Sequence, residues 1–501
     1  MTTPIPSPSC ARGLRRALGI ALLCLCSCGP EESARSKAEP THAAPREGQG
    51  ILLVVIDGLR ADHVSAFGYD RETTPRIDRL AAEGVAFART ISASPQAAPA
   101  HASILSGNDP NLARRAVPQW RQAEIDQAWY LPPKVPRLPV ELAVAGYRTA
   151  AFSSDPSFSR VNGLVSGFQN FFPRWPKTAD EPLARPEEML EDVRRWLRTL
   201  SRDEPWFAYV QLSSLEDAFR YRDPSWSGFF EPRAGRSWVP PAGLTSPSLF
   251  AIAPGRTDGG AHTLSQYEAW YDGALREIDT QLGELLDQLD QVGRLATTTV
   301  CVVGSFGMQF GESGLILDHG RLSVADLHVP FVLQPSRSLS SRRGLRTDLL
   351  ASTMDVAPTL LELAGQTVPP NMFGLSFGGV FDPDLPIAPV RELAMAACAI
   401  QGGYAVFSKD QALEMIFPGQ VREPALVRAW YGDLEYHGDS AEERLYNWTT
   451  HPAPSLFEQT LPSLPESVRL KTAGFHWILR VQKLQKQFAP VLFSDFGAGE
   501  L

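Results

Sequence analysis

The sequence predicts an α/β fold built around a largely parallel β-sheet, and three observations lead to this prediction. The apolar run Gly50–Ile56 ends abruptly at Asp57, as expected of a strand that is buried on both faces and carries a carboxylate at its carboxyl end. Strand-like and helix-like segments then alternate over about 300 residues, which is typical of βαβ units. The chain has 501 residues, 44% of them hydrophobic, and is long enough for one large domain and a smaller one.

The elements that follow the first strand are indicated by apolar runs between turn residues. The segment Thr74–Gly84 predicts a helix, because it begins with a capping Thr and a Pro and ends with a Gly. Residues 85–91 predict the second strand. A short helix is predicted to begin at Pro99 and to end at Gly107.

The alternation continues along the chain before the elements become shorter. Residues 217–262 are rich in Pro, Gly, Arg and aromatic residues and predict an insertion loop over one face. After Pro383 the pattern weakens, which indicates a smaller C-terminal α+β domain at 384–501 with a last helix near 468–487. The pattern between these landmarks predicts helices at 139–145, 186–200, 267–292 and 353–364, and strands at 148–153, 206–212 and 297–303.

The N-terminal segment predicts export and a lipid anchor. Basic residues precede a short apolar stretch, which is typical of a signal peptide over residues 1–27. Cys28 lies in a lipobox-like Leu-Cys-Ser-Cys-Gly, so we expect acylation of Cys28 and attachment to the outer membrane of a bacterial envelope. The alternative is secretion without lipid. The polar residues 28–49 predict a disordered tether.

Charge and cysteine content exclude some classes of function. The net charge of −9 and the absence of a long Lys/Arg run argue against nucleic acid as a partner. Cys301 and Cys398 are the two cysteines outside the N-terminal segment, and both lie in apolar runs. We interpret them as buried thiols, although the sequence leaves a disulfide open.

Six segments spread over residues 50–450 carry a family resemblance. Taken together and in this order, they resemble the sulfatase family of the alkaline-phosphatase superfamily, which implies an alkaline-phosphatase-like three-layer sandwich at 50–383 beside the smaller domain at 384–501. The segments are Asp57-Gly-Leu-Arg-Ala-Asp62, Thr74-Pro-Arg-Ile-Asp-Arg-Leu-Ala-Ala-Glu-Gly-Val-Ala-Phe87, Ala145-Gly-Tyr-Arg-Thr-Ala-Ala-Phe152, Gln309-Phe-Gly-Glu-Ser-Gly-Leu315, Asp355-Val-Ala-Pro-Thr-Leu-Leu-Glu-Leu-Ala-Gly365 and Leu445-Tyr-Asn447.

The resemblance implies hydrolysis of sulfate esters, but the nucleophile is missing. The family motif is Cys/Ser-x-Pro-x-Arg with the first residue oxidised to formylglycine, and one subset has Thr or Ser first and His last. The matching residues here are Ala97-Ala-Pro-Ala-His101. A methyl group cannot attack sulfur, so Ala97 marks a degenerate nucleophile position at a helix start that would still cradle an anion. Ser94 and Ser103 remain candidates for a displaced nucleophile.

The metal ligands implied by the resemblance are also incomplete. Family members use an acidic pair after the first strand and Asp-His or Asp-Asn after a later one. Here Asp57 survives, whereas Gly58, Ser305 and Phe306 stand at the other three positions. Calcium takes about six to eight oxygen ligands, so we expect no bound cation although the family uses Ca²⁺.

Positions that contact the substrate in the family are changed as well. His319 and Arg321 match a basic segment that contacts the sulfate, and His319 is either a survivor or an ordinary loop histidine. Gln211 and Glu216 stand where the family has histidines that bind the substrate and its leaving group. Asp57 then needs hydrogen bonds in place of a metal, and Ser305 is the expected donor.

The leading hypothesis is a non-catalytic pseudo-sulfatase, anchored in the envelope, that binds a sulfated or phosphorylated glycan or a protein partner. The aromatic residues Trp226, Phe229, Phe230 and Trp238 of the insertion could line such a site or simply pack onto the domain. The alternative is an active hydrolase of sulfuric or phosphoric esters, or a headgroup transferase, with an unrecognised nucleophile. A purely structural envelope protein is the third reading of the same sequence.

Overall fold

The computed structural model places fourteen strands and nine helices within the residues it describes, besides short 3-10 turns and a C-terminal helical segment. These residues are 44–112, 131–160, 162–178, 181–218, 226, 228–234, 263–310, 316–398, 403–416, 442–449, 469–474 and 476–481. Cys28, the predicted signal peptide, Trp238 and most of the predicted insertion lie outside them. The strands of the first two sheets are β1 Gly50–Ile56, β2 Val85–Ile91, β3 Arg148–Ser153, β4 Asn170–Pro173, β5 Trp206–Leu212, β6 Thr298–Gly304, β7 Gln309–Phe310, β8 Ile316–Asp318, β9 His328–Gln334 and β10 Leu345–Ser352.

An eight-stranded sheet forms the centre of the fold. Its strand order is β10-β2-β9-β6-β1-β5-β3-β4, and β9 runs antiparallel to both of its neighbours, whereas all other neighbouring pairs are parallel. β1 lies between β5 and β6, so every residue of its apolar run is buried. The prediction of a doubly covered parallel strand at 50–56 is confirmed, and Asp57 follows it at the carboxyl edge of the sheet.

Helices cover both faces of this sheet. They are α1 Pro75–Glu83, α2 Ala97–Ser106, α3 Leu138–Val144, α4 Pro186–Leu197, α5 Ser214–Asp217, α6 Leu264–Gln291, α7 Val324–Leu327, α8 Val356–Leu363 and α9 Gly378–Phe381. Leu52 and Val54 of β1 share a core with α1, α4 and α6, whereas Leu53 and Val55 share the opposite core with α2, α3 and α8. This alternation follows from the two-residue period of a strand, and it confirms the three-layer α/β sandwich.

A separate four-stranded antiparallel sheet follows in the C-terminal part of the chain. Its strands are β11 Ala394–Cys398, β12 Gly403–Phe407, β13 Gln411–Ile416 and β14 Glu442–Asn447, paired in chain order. Residues 469–474 and 476–481 are helical, within the predicted last helix. The boundary predicted at residue 384 stays a prediction.

Four helix ends differ by two or more residues from those predicted from the sequence. One is the start of α8, which begins at Val356 rather than at 353, because residues 353–355 form a 3-10 turn. α2 begins at Ala97, because a proline at the third position lies in the first turn, where its missing N–H costs nothing. α4 ends at Leu197 rather than 200. α6 begins at Leu264, since the side chain of Thr263 accepts a hydrogen bond from the N–H of Gln266 and caps the helix.

Two further predictions concern cysteines and membrane spans. Cys301 and Cys398 are both buried free thiols, as the sequence indicated. No helix in the described ranges is both long and apolar enough to cross a bilayer.

Candidate active site

Asp57 is the centre of a buried polar cluster at the carboxyl edge of the central sheet. Its side chain has no solvent exposure. The hydroxyl of Ser305, at the end of β6, donates to Oδ1 of Asp57. On the other side, Gln211 Nε2 and Ser213 Oγ donate to Oδ2 at 2.8 Å and 2.7 Å. The donor expected from Ser305 is therefore present, and two further donors come from the end of β5.

His101 completes this cluster from helix α2. Its Nε2 atom lies 3.1 Å from Oδ1 and 3.3 Å from Oδ2 of Asp57, so the imidazole spans both oxygens of the carboxylate. Its Nδ1 atom lies 2.6 Å from the hydroxyl of Tyr209. His101 is fully buried, and the helix that carries it is buried along most of its length.

The electrostatics of the cluster favour an ionised Asp57. Burial by itself raises the pKa of Asp57, but the charge of His101 and the hydrogen bonds from His101, Ser305 and Gln211 outweigh burial and hold the pKa below its ordinary value. Burial and the negative charge of Asp57 raise the pKa of Tyr209 well above its ordinary value, so Tyr209 stays a neutral phenol.

Sequence reasoning found Asp57, His101, Gln211 and Ser305 but missed two members of the cluster. Tyr209 and Ser213 flank Gln211 at spacings of two residues, so all three side chains point to the same side of β5 and its extension. The sequence signal that could have identified Tyr209 and Ser213 is the two-residue period of a strand. A strand that ends beside Asp57 presents every second residue to the Asp57 side chain.

The backbone at Gly58 does not suit a ligand. Its φ is 74°, in the left-handed region that favours glycine. A Cβ atom built at Gly58 would lie 3.3 Å from Cε of Met308 and 3.9 Å from Cγ of Glu216. Met308 therefore fills the space into which an acidic side chain at position 58 would extend, and Glu216, at a position where the family has a histidine, lies close to it on α5.

The last predicted metal position is occupied by an aromatic contact. The ring of Phe306 is fully buried and packs against the imidazole of His319 in a tilted arrangement, with 4.3 Å between ring centroids and 33° between planes. His319 Nδ1 donates to the carbonyl of Pro95, at 2.8 Å. His319 is thereby fixed beside the segment that leads into α2. Arg321 follows it by two residues in the chain.

The start of α2 keeps the geometry of an anion cradle without a nucleophile. Ala97 is its first residue, and Gln96, the residue before it, makes no side-chain cap to the helix. The displaced candidates are engaged elsewhere: Ser94 Oγ accepts from the N–H of Gln96 at 3.3 Å, and Ser103 Oγ donates to the carbonyl of Pro99 at 3.0 Å. Both serines are buried. The polar groups that an anion would meet at position 97 are therefore the backbone N–H groups of the first helical turn.

These residues do not fit a calcium site. Asp57 is the one acidic side chain at the predicted ligand positions, and both of its oxygens already accept hydrogen bonds from protein donors. Within the described residues, His, Cys, Asp and Glu form no group of three that could hold a metal ion. The oxygen ligands at the predicted positions are therefore too few for chemistry that depends on a bound calcium ion.

The described part of the insertion packs against the domain next to the loop that follows β1. Trp226 is buried, and its carbonyl lies against Gly273 of α6, where a Cβ atom would approach it to 2.2 Å. The guanidinium of Arg71 lies 5.5 Å from the ring centroid of Phe230, whereas Phe229 is 46% exposed. Trp226 and Phe230 thus pack the loop onto the domain.

Comparison with known proteins agrees with this fold and with the resemblance in the sequence. A family model described as Sulfatase matches residues 49–366. An arylsulfatase of Clostridium perfringens is 22% identical over 384 residues, which are 65% of this chain and 77% of that protein. An ulvan-active sulfatase of Formosa agariphila is 26% identical over 410 residues, which are 73% of this chain and 61% of that protein.

Solved structures with the same fold include two kinds of hydrolase. A 2-O GAG sulfatase superposes with a TM-score of 0.62 at 17% identity, covering 87% of this chain and 92% of that one. A phosphonate monoester hydrolase of Agrobacterium radiobacter superposes with a TM-score of 0.61 at 17% identity, covering 87% and 96%. At this level of identity the superpositions support the alkaline-phosphatase-like α/β fold and carry no information about substrate.

Proposed function

The chain belongs to the sulfatase family and has its hydrolase fold, and from this premise we propose that it is a non-catalytic member that binds a sulfated or phosphorylated glycan. The proposal includes attachment to the bacterial outer membrane through acylated Cys28. It leaves out metal-assisted ester hydrolysis, because neither a nucleophile nor a ligand set is present at the family positions.

One observation carries the proposal: the changed residues around Asp57 are adapted to one another. Ser305 stands at a ligand position and Gln211 at a histidine position, yet both donate to the same carboxylate. His101 places an imidazole across both oxygens of Asp57. Random loss of a site would leave a buried carboxylate with unsatisfied oxygens, which is costly. The cluster instead satisfies Asp57 without a cation, which supports a stable site without turnover.

Anion binding at the neighbouring helix start is supported on chemical grounds. The first turn of α2 presents backbone N–H groups, and the positive end of the helix dipole favours a sulfate or phosphate group there. His319 and Arg321 lie on the segment that contacts Pro95, immediately before this turn. The name of the ulvan-active sulfatase states that this relative acts on ulvan, which supports the choice of a sulfated ligand.

The first experiment measures catalysis and cation binding by the purified chain. We expect no turnover of 4-nitrophenyl sulfate or 4-nitrophenyl phosphate above that of the Asp57→Asn variant, with or without Ca²⁺, Mg²⁺ or Mn²⁺. A cation present at a hundred times its dissociation constant would add about 2.7 kcal/mol to the free energy of unfolding and would raise the melting temperature. We expect none of these cations to raise the melting temperature. Turnover that Asp57→Asn abolishes would instead establish the active hydrolase, the function that the names of the relatives favour.

A second experiment tests the ligand. We expect heparin to bind in a calorimeter and its desulfated form to bind much more weakly. His319→Ala should reduce the affinity several-fold, whereas His476→Ala, a change of an exposed histidine in the C-terminal helical segment, should not. Equal affinity for the sulfated and desulfated chains would contradict the proposal.

A further inference from the structure

The amino ends of the parallel strands lie at the edge of the sheet opposite the Asp57 cluster. We call the loops at this edge the amino-end surface; they are residues 46–49, 144–147, 201–205, 292–297, 336–344 and 382–390. The N–H of Gly48 donates to the carbonyl of Asp203 at 2.8 Å, and Thr297 Oγ1 donates to the carbonyl of Gly48 at 2.8 Å. The chain that leads from the predicted tether into β1 is thus fixed at this surface.

Exposed aliphatic side chains are concentrated on the same surface. Six large hydrophobic residues of the described chain are substantially exposed, and four of them belong to these loops. Val144 precedes β3, Val292 precedes β6, and Leu385 and Ile387 lie in the 382–390 loop. The other two, Phe229 and Leu479, belong to the insertion and to the C-terminal helical segment. Isolated exposed aliphatic residues are common, but their concentration at one edge needs an explanation.

The 382–390 loop holds its two aliphatic residues outward. Pro383, Pro386 and Pro389 restrict its backbone. Arg342, which lies just before β10, donates from its backbone N–H to the carbonyl of Phe381 at 2.7 Å and from its guanidinium to the carbonyl of Leu385 at 2.8 Å. Because the backbone is fixed in this way, Leu385 and Ile387 are displayed at 48% and 44% exposure on an ordered loop.

Positive charge accompanies these aliphatic residues. The guanidinium groups of Arg342 and Arg343 donate to backbone carbonyls and have no carboxylate partner in the described part of the chain. Arg202 is exposed at the same surface. Glu47, Asp203 and Asp384 are exposed acids of the same surface and oppose them. Exposed aliphatic side chains beside guanidinium groups that donate to backbone carbonyls fit acyl chains beneath phosphate headgroups.

We propose that the amino-end surface rests on an anionic lipid bilayer, which turns the Asp57 edge of the sheet away from the membrane. The strength of this membrane contact depends on the predicted acylation of Cys28. Cys28 lies 20 residues before Gly48 in the sequence. Acylation so close to this surface would give the surface a high effective concentration at the bilayer, so weak contacts would suffice to orient the protein.

The test uses the full-length chain, purified from membranes and reconstituted on vesicles of phosphatidylethanolamine and phosphatidylglycerol. An environment-sensitive fluorophore is attached at Leu385→Cys or, as a matched exposed control, at Phe229→Cys. We expect a blue shift of the emission and quenching by brominated lipid at position 385 only. An aqueous spectrum at position 385 on vesicles that carry the bound protein would overturn the proposal.

A second measurement separates this surface from the lipid anchor. Mass spectrometry determines whether Cys28 is acylated. If it is not, the acylation prediction fails, and co-sedimentation of the same chain with the anionic vesicles tests the surface alone. We expect Leu385→Asp together with Ile387→Asp to reduce this binding tenfold or more, and Asp384→Asn to strengthen it. Absence of binding, or binding that these changes leave unaltered, would overturn the proposal.

Discussion

Nε2 of His101 lies 3.1 Å from Oδ1 of Asp57, and neither side chain has any contact with solvent. Two chain segments that are 44 residues apart thereby form a charge-stabilising pair at the position where the family resemblance implies a metal. The pair shows how protein groups alone can satisfy a buried strand-end carboxylate. It also makes the cluster testable by substitution.

The first prediction concerns this pair. His101→Ala should lower the free energy of unfolding by about 3–5 kcal/mol, because it removes a buried partner and leaves Asp57 with one fewer compensating group. Asp57→Asn in the same background should recover part of that loss. Denaturant unfolding of the two single variants and the double variant gives the coupling energy, and a coupling near zero would show that the two residues are independent.

The second prediction concerns Gly58. Gly58→Asp should destabilise the protein by about 2 kcal/mol or more, because the left-handed φ of 74° disfavours a side chain and Met308 fills the space beyond it. Gly68→Asp is the matched control, since Gly68 also has a positive φ but no atom within 4 Å of a built Cβ. Thermal unfolding of both variants, with and without Ca²⁺, measures the difference. Equal losses of stability in the two variants would show that Met308 adds nothing to the cost of a side chain at position 58.

The third prediction concerns the nucleophile position. Ala97→Cys and Ala97→Ser should leave turnover of aryl sulfates undetectable, because the new group would face no bound cation and Asp57 would stay saturated by Ser305, Gln211 and Ser213. The assay is initial rate against 4-nitrophenyl sulfate with Ca²⁺ present. Measurable turnover from either single change would refute the account of the metal positions.

The fourth prediction concerns pH and a helix far from the cluster. Burial raises the pKa of Asp279 to about 7, although its carboxylate accepts hydrogen bonds from the N–H groups of Arg76 and Ile77 at the start of α1. The native state therefore binds this proton more tightly than the unfolded chain, whose pKa is near 3.8. Because the folded pKa of this acid is raised, the free energy of unfolding should fall as pH rises from about 4 to 7.

Each pKa unit corresponds to about 1.4 kcal/mol, so the slope should amount to a few kcal/mol over that range. Asp279→Asn should flatten it. Asp287→Asn, which removes a half-exposed partner of Arg76 from the same helix, should leave it unchanged. Denaturant titrations at a series of pH values provide the measurement, and an unaltered slope in Asp279→Asn would assign the pH dependence to another group.

Local pattern predicted most of the central sheet. β2, β3 and β5 begin and end where their apolar runs and turn residues indicated, and β1 is buried on both faces as its continuous apolar sequence required. The predicted helix ends were less accurate than the strand ends, because a helix end depends on very local features. One hydrogen bond to Thr263 sets the start of α6, and the missing N–H of Pro99 is tolerated within the first turn of α2.

The sequence alone determined the family, the α/β fold class and the identity of the changed positions 97, 58, 305 and 306, because motifs and apolar periods are local properties of the chain. Only the tertiary structure decided what those changes mean. Parallel strands bring their carboxyl ends to one edge, where Gln211, Ser213 and Ser305 meet Asp57 from segments more than 150 residues away. No local pattern specifies that their hydrogen bonds converge on one carboxylate, since the convergence arises from the packing of β5 and β6 against β1.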